Sequence, residues 1–380
     1  MKTSLLATLG ALALQSASAT PLSQVETRQS GSKSFMGSNL YFLPGLSDDD
    51  QDKYINDLAD YGAKVVRVWV NQQSGESCEK GSKLAVSVPP LETELSKYND
   101  ETLDAVDKVV SKLAQKGIKS IISPHDANSL LGDYRKDVYS DNWTKTTFYT
   151  APDAATAYDK RISHILNYTG ATSGQPWKTW SDAILAFDIQ NEPMSPDPSV
   201  CQSSNNNNDD ASGWLCGRAQ HFRSELGATS KIQIATGGVG GDISHGCTFA
   251  SAATACDAVD LIAVHRYGGS QASNPGQWSG SASKWVDQAA GKLVFVEEWG
   301  VNTGSDAPET ELPAQADDIN KVGLPNLYWQ FLPAKTCDYD PSQDSGDMFG
   351  IFVESDTDIA AVMKGASSAD ALQDWSQVMG

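Results

Sequence analysis

Glu192 follows the apolar run in AFDIQNEP, and Glu298 follows the one in VFVEEWG. Two carboxyl groups set across one acetal carbon can cleave a glycosidic bond. One protonates the departing oxygen; the other, ionised, attacks the anomeric carbon or activates water. The two environments must hold the pKa values apart. In a double displacement, negative charge on Glu298 would keep the proton on Glu192. Its loss on glycosylation would then let Glu192 act as base toward water. Arg67, in VVRVWV, suits the task of keeping Glu298 ionised through charge-assisted hydrogen bonds.

Other polar or aromatic residues also close apolar runs: His125 in IISPHD, Asn191 beside Glu192, His265 and Tyr267 in AVHRYG, and Trp329 in LYWQF. Six such runs ending this way point to one site ringed by strand ends. An indole face packs well on the C–H side of a pyranose, which makes Trp329 a candidate sugar platform. Trp69 shares the alternation period of Arg67 and so its expected inward face, either as a subsite or as core. The same alternation is expected to turn Glu297 away from the barrel centre, toward the helices and a basic partner. Tyr134, Tyr139, Trp143 and Phe148 are candidates for outer subsites or for loop anchors. His164, His221 and His245 read as helix or loop residues.

Something must position these side chains. Strands are expected at Phe35–Tyr41, Val65–Val70, Lys119–Ser123, Ile184–Ile189, Ile232–Thr236, Leu261–Val264, Leu293–Val296 and Leu327–Phe331. Several are continuous apolar runs, as strands covered on both faces require. Helical periodicity intervenes at Asp50–Tyr61, Leu103–Leu113, Ala154–Leu166, Trp214–Leu226, Ala282–Ala290 and Pro313–Val322, and Ala371–Val378 closes the chain. Gly62 and Gly117 stop two helices before the next strand. Eight strand–helix repeats predict a (β/α)8 barrel in the α/β class, with long loops on the catalytic face. An open doubly wound sheet would want a phosphate loop after the first strand, and no G-x-G-x-x-G stands there. Gly237–Gly241 reads as a tight loop. The long intervals 71–100, 126–153, 193–213 and 332–350 all follow strands, where they would wall a groove. Asn205–Asn208 with Asp209 and Asp210 reads as a solvated loop.

The chain of 380 residues carries 28 basic and 48 acidic side chains, a formal charge of −20. That field repels nucleic acid and anionic membranes and disfavours polyanionic substrates, leaving neutral polymers. A lysine, an apolar run from Leu5 to Leu14 and Ala17-Ser18-Ala19 read as a secretory leader over 1–19, followed by a short lead or propeptide over 20–30 and a single catalytic domain over 31–380. Ten apolar residues are too few to cross a bilayer, so secretion is expected rather than membrane anchoring. Six cysteines suit an oxidising compartment and leave 15 complete pairings open. Short loops favour Cys201 with Cys216 and Cys247 with Cys256, leaving Cys78 with Cys337. Asn142 and Asn167 head glycan acceptor sequons. With no C-x-x-C and few histidines, no metal is expected, and hydrolysis by two carboxylates needs no cofactor.

Asn191-Glu192-Pro193 ending the fourth strand and Glu297-Glu298-Trp299-Gly300 ending the seventh resemble the signatures of glycoside hydrolase family 5, of clan A. Arg67, His265-Arg266-Tyr267 and Trp329 fit the same pattern, and the resemblance spans nearly the whole mature chain. It implies a retaining enzyme with Glu192 as acid/base and Glu298, the glutamate before the aromatic–glycine pair, as nucleophile. It further implies that Asn191 bonds the sugar 2-hydroxyl, Tyr267 contacts the nucleophile, Trp329 floors the −1 sugar and His265 sits beside the reacting ring. Many members carry a histidine where His125 stands, whereas the mannanase group often has an amide or aromatic there. The opening segments Gly37-Ser38-Asn39-Leu40-Tyr41 and Val65-Val66-Arg67-Val68-Trp69 are similar to those of fungal-type endo-β-1,4-mannanases. The expectation is therefore a secreted, monomeric enzyme cleaving mannan or glucomannan internally. The alternatives are an endo-β-1,4-glucanase, an exo-β-mannosidase or β-glucosidase, or a diglycosidase. A noncatalytic carbohydrate-binding barrel is the alternative of another class; binding alone would not require both glutamates.

Overall fold

The computed structural model describes residues 31–132, 136–196, 213–238 and 251–380. The expected leader and lead, Tyr134, the Asn205–Asn208 run, Gly240, Gly241, His245, Cys201 and Cys247 lie outside them. The frame is a closed barrel of eight parallel strands. In chain order these are β1 (Met36–Asn39), β2 (Val65–Trp69), β3 (Lys119–Ser123), β4 (Ile184–Asp188), β5 (Gln233–Ala235), β6 (Leu261–His265), β7 (Leu293–Trp299) and β8 (Asn326–Tyr328). Each strand pairs with its sequence neighbours, and β1 closes the ring on β8.

Helices α1 (Asp48–Tyr61), α2 (Glu101–Gln115), α3 (Pro152–Asn167), α4 (Trp214–Leu226), α5 (Ser279–Gln288), α6 (Pro308–Val322) and α7 (Ile359–Ser368) belong to the outer layer. Local sequence sets their ends. Ser47 accepts from the Asp50 backbone N–H at the start of α1, where three aspartates meet the helix dipole, and Gly62 ends the helix at φ 96°. Two expectations need correction. α6 begins at Pro308, not Pro313, because a proline at the first helical position loses no bond; Pro313 lies inside the helix. The closing helix is α7, which the periodicity reading missed. Ala371 and Trp375 instead belong to the barrel's inner cluster with Phe35, Val65, Ile121, Phe295 and Leu327, and only Ser376–Met379 is helical. Trp375 meets Phe35 edge-on at 5.3 Å and Phe295 at 6.0 Å, plugging the end of the barrel opposite the site. A larger apolar cluster lies between strands and helices.

The disulfides also correct the short-loop expectation. Cys78 pairs with Cys337, as the remainder had suggested, but Cys216 pairs with Cys256 across 40 residues. Tertiary packing of α4 against the short helix Ser251–Thr254 brings these two Cα atoms to 5.6 Å, which loop length could not reveal. Asn142 and Asn167 are both exposed.

Candidate active site

Alternation along β2 sends Val65 and Arg67 inward, so a guanidinium stands at the top of the inner apolar layer. It is fully buried and fully used. Its Nε donates to Asp188 Oδ2 at 2.8 Å, Nη2 to Asn191 Oδ1 at 2.8 Å, and Nη1 to Glu298 Oε1 at 2.5 Å. Asn39 Oδ1 accepts a longer bond from Nη1, at 3.4 Å. Four anionic or amide partners from β1, β4 and β7 thus converge on one cation, fixing their relative positions.

The second organiser is His265, at the end of β6. Its Nε2 lies 2.9 Å from Glu297 Oε2, and its Nδ1 lies 3.2 Å from Glu192 Oε1 and 3.4 Å from Glu298 Oε2. One oxygen each from Glu192 and Glu298 and a nitrogen of His265 all fall within 4.8 Å of one another. Tyr267 donates to Glu298 Oε2 at 2.7 Å. Glu192 sits just beyond β4 at φ 47°, a left-handed conformation that costs a β-carbon-bearing residue strain. Its N–H donates to Gly237 O at 2.9 Å, and Asn128 Nδ2 donates to its Oε2 at 3.1 Å. Gly237 and Gly238 are what allow this approach. A β-carbon would fall 1.8 Å from Gln190 O at the first and 1.9 Å from the His265 ring at the second.

Glu297 overturns its expectation. It points inward, fully buried, toward His265 and Arg67. Phe295 lies in the inner cluster, so plain alternation already turns Glu297 inward. A bulge then does the rest. Val264 pairs with Val296 but His265 pairs with Glu298, leaving Glu297 as an extra residue, and the β8 register shifts in the same place. The bulge swings Glu298 inward as well, so two consecutive carboxylates face the barrel axis, Glu298 toward the groove and Glu297 behind it.

The electrostatics follow from burial and these partners. Burial, against the pull of His265 and Arg67, pushes Glu298 up to about 7. Burial also opposes ionisation of Glu192, but the His265 bond, the Asn128 amide and Arg67 more than offset it and hold Glu192 below the usual carboxylate range. Although desolvation works against its charge, His265 is pushed up to about 10 by Glu298, Glu192 and Glu297. Burial thus raises Glu298 while hydrogen bonds from His265 and Asn128 lower Glu192, a bias opposite to the one expected from charge on Glu298 alone.

A groove of about 810 Å³ opens above the pair, lined by Tyr41, Trp69, Asn128, Trp329 and Asp347 among others. Trp329 is half-buried, stacked on Tyr41 at 5.9 Å, and its Nε1 donates to Asp347 Oδ1 at 2.8 Å. Trp69 lies edge-on to Trp329 and carries the Arg67 guanidinium 4.3 Å over its ring. Lys80 bridges Asp344 and Asp347 at 2.6 and 2.7 Å, beside the Cys78–Cys337 bridge that joins the loops after β2 and β8.

His125 is not in the groove. Its ring nitrogens face Asp137 at 2.6 Å and Gln190 at 2.8 Å, boxed among Tyr139, Phe148 and Tyr158 behind the site. Of the loop aromatics, Tyr139 and Phe148 are fully buried anchors rather than outer subsites, because they pack on Tyr158 and Phe148 also meets Trp214. Trp143 stacks on Tyr139. Sequence reasoning missed Asn39, Asn128 and Asp188. Asp188 was detectable as the one charge in an otherwise apolar strand; nothing local marks the other two.

The description "Cellulase (glycosyl hydrolase family 5)" belongs to the family model that matches residues 24–335, most of the chain. The chain belongs to glycosyl hydrolase family 5. It is therefore a glycoside hydrolase. Among relatives, it is 28% identical over 342 residues to a probable mannan endo-1,4-beta-mannosidase A of Aspergillus oryzae, covering 83% of this chain and 79% of that one. It is 24% identical over 316 residues to the mannan endo-1,4-beta-mannosidase F of Aspergillus fumigatus, covering 79% and 67%. The fold is shared with the crystal structure of the endo-1,4-beta-mannanase from Rhizomucor miehei at a TM-score of 0.64 and 22% identity, covering 88% of this chain and 94% of that one. The family 5 mannosidase from the same organism matches at 0.62 and 14%, covering 90% and 97%.

Proposed function

We propose that this family 5 enzyme cleaves internal β-1,4-mannosidic bonds of mannan or glucomannan with retention, using Glu298 as nucleophile and Glu192 as acid/base. The observation that carries the mechanism is the close approach of the two carboxyl groups, whose nearest oxygens fall within 4.8 Å together with His265. Retaining glycosidases keep their carboxyl groups about 5–5.5 Å apart, whereas inverting ones need room for a water. Arg67 and Tyr267 each hold one oxygen of Glu298 and so aim it. Asn128 holds Glu192 Oε2. A glycosidic oxygen beside Glu192 would favour the proton on that residue and leave Glu298 charged for attack. Trp329, with Tyr41 behind it, offers the apolar platform, and Asn191, fixed by Arg67 and by Asp126 at 2.9 Å, is set to bond a sugar hydroxyl. The mannan preference rests on the names of the Aspergillus relatives and on the opening segments.

A hydrolysis screen tests this reading. Galactomannan and glucomannan should yield short oligosaccharides early, with carboxymethylcellulose left nearly intact. Monosaccharide as the sole early product, or preference for the cellulose derivative, would overturn the substrate assignment. We further infer secretion, supported by the leader-like opening and by two disulfides. No helix among the described residues is long and apolar enough to cross a membrane. The acidic surface, with 48 acidic against 28 basic side chains, suits a neutral polymer acted on by a monomer.

A further inference from the structure

Beneath the catalytic pair lies a second pair of carboxyl groups that the mechanism above does not use. Asp188 on β4 and Glu297 on β7 are both fully buried, and their side chains are in hydrogen-bond contact. Each also keeps one oxygen, Asp188 Oδ1 and Glu297 Oε1, that accepts from no donor group. Two ionised carboxylates cannot share such a contact away from water; one of them must carry a proton.

We propose that Asp188 is a positioning residue held as a neutral carboxylic acid, donating its proton from Oδ1 to Glu297 Oε1, and that this fixes the charge against which Glu298 titrates. The surrounding groups decide which partner keeps the proton. Glu297 Oε2 faces two cations, His265 Nε2 at 2.9 Å and Arg67 Nη2 at 3.5 Å. Asp188 Oδ2 accepts from one cation, Arg67 Nε at 2.8 Å, and from the neutral Ser123 hydroxyl on β3. Burial accordingly pushes Asp188 up to about 8, with Glu297 adding to the effect against Arg67. Glu297 stays below its ordinary value, Arg67 and His265 outweighing burial.

Among the described residues, the charges facing this pair are Arg67, His265, Glu298 and, through His265, Glu192. With Asp188 neutral, the buried site holds Arg67 and His265 against Glu297 and one charge shared by Glu192 and Glu298, which balances. An ionised Asp188 would add an uncompensated negative charge and hold Glu298 protonated, unable to attack. The proposal takes Glu298 as nucleophile from the reading above, but it does not depend on the sugar.

The test compares Asp188→Asn with Glu297→Gln on any substrate the enzyme turns over. Asn keeps a neutral donor in place of the acid and removes no charge, so the alkaline limb of kcat/KM should stay within a few tenths of a pH unit. Glu297→Gln removes a real charge and should lower that limb by about one unit and kcat by about tenfold or more. Equal shifts in the two variants, or a shift confined to Asp188→Asn, would overturn the proposal. A second measurement needs neither substrate nor a folded Asp188 variant. In the Glu298→Gln variant at pH 7, which leaves Glu192 to supply the balancing charge, the infrared spectrum should retain the C=O stretch of one buried protonated carboxylic acid. Its absence would equally overturn the proposal, whereas failure on mannan with this band present would overturn only the substrate assignment.

Discussion

The Tyr267 hydroxyl donates to Glu298 Oε2, while Arg67 holds the other oxygen, Oε1. Both oxygens of Glu298 are thus held by hydrogen bonds. A hydrogen bond to a charged group contributes about 1.5–3 kcal/mol. Tyr267→Phe should therefore lower kcat/KM by about 10- to 100-fold with little change in KM. Because that bond favours the ionised form of Glu298, its loss should also move the alkaline limb of the pH profile upward. An unchanged limb with a raised KM would show that Tyr267 serves substrate binding instead.

Glu298 and Glu297 both reach Arg67, so contact with that cation does not choose between them as nucleophile. Glu298 borders the groove, whereas Glu297 lies behind it. A 2-deoxy-2-fluoro glycoside with an activated leaving group should label the peptide at Glu298. Mass analysis finding the sugar on Glu297 would reassign the role.

The proposed role of Glu192 predicts a loss that depends on the leaving group. Glu192→Ala should cost about 100-fold or more on a natural glycoside, within the usual range for general acid catalysis. It should cost far less on a dinitrophenyl glycoside in the glycosylation step. Equal losses on both would remove Glu192 from the acid role.

The pH profile follows from the shared proton. The pair loses its first proton below the usual carboxylate range and its second at about 7. The productive state holds one proton, so kcat/KM should be high between these limits and fall as pH rises through about 7. The two values belong to the pair rather than to either residue. A profile still rising between pH 7 and 8 would contradict the arrangement.

The Cys78–Cys337 bridge spans 259 residues and ties together two loops that line the groove. In the chain-entropy account, closing so long a loop is worth about 5 kcal/mol. Cys78→Ser/Cys337→Ser should lower Tm by several degrees. Because Lys80 and Asp347 sit on the tied loops beside Trp329, KM should rise more than kcat falls. A lowered Tm with unchanged kinetics would limit the bridge to stability.

Much of this protein was legible in its residues. Apolar runs alternating with helical periodicity fixed the barrel, since the periods of strand and helix are local properties of the chain. The polar residues closing those runs named Arg67, Asn191, Glu192, His265, Tyr267, Glu298 and Trp329, all of which meet at the strand ends. Where expectations failed, the cause was contact between distant segments. His125 has the right type and place in the sequence, but Asp137 and Gln190 occupy both ring nitrogens. Glu297 was turned the wrong way because alternation was counted from Glu298, which faces inward only through a bulge set by pairing with β6 and β8. The Cys216–Cys256 pairing likewise depends on how α4 packs.

The order of residues by itself determined which side chains stand at the ends of strands, because alternation and helical period need no partner. Only the closed barrel decided their charges. It brought Arg67, His265, Asp188, Glu297, Glu192 and Glu298 from four strands or their ends into one buried volume. Away from water each proton's place depends on all the others, and no stretch of sequence contains that sum.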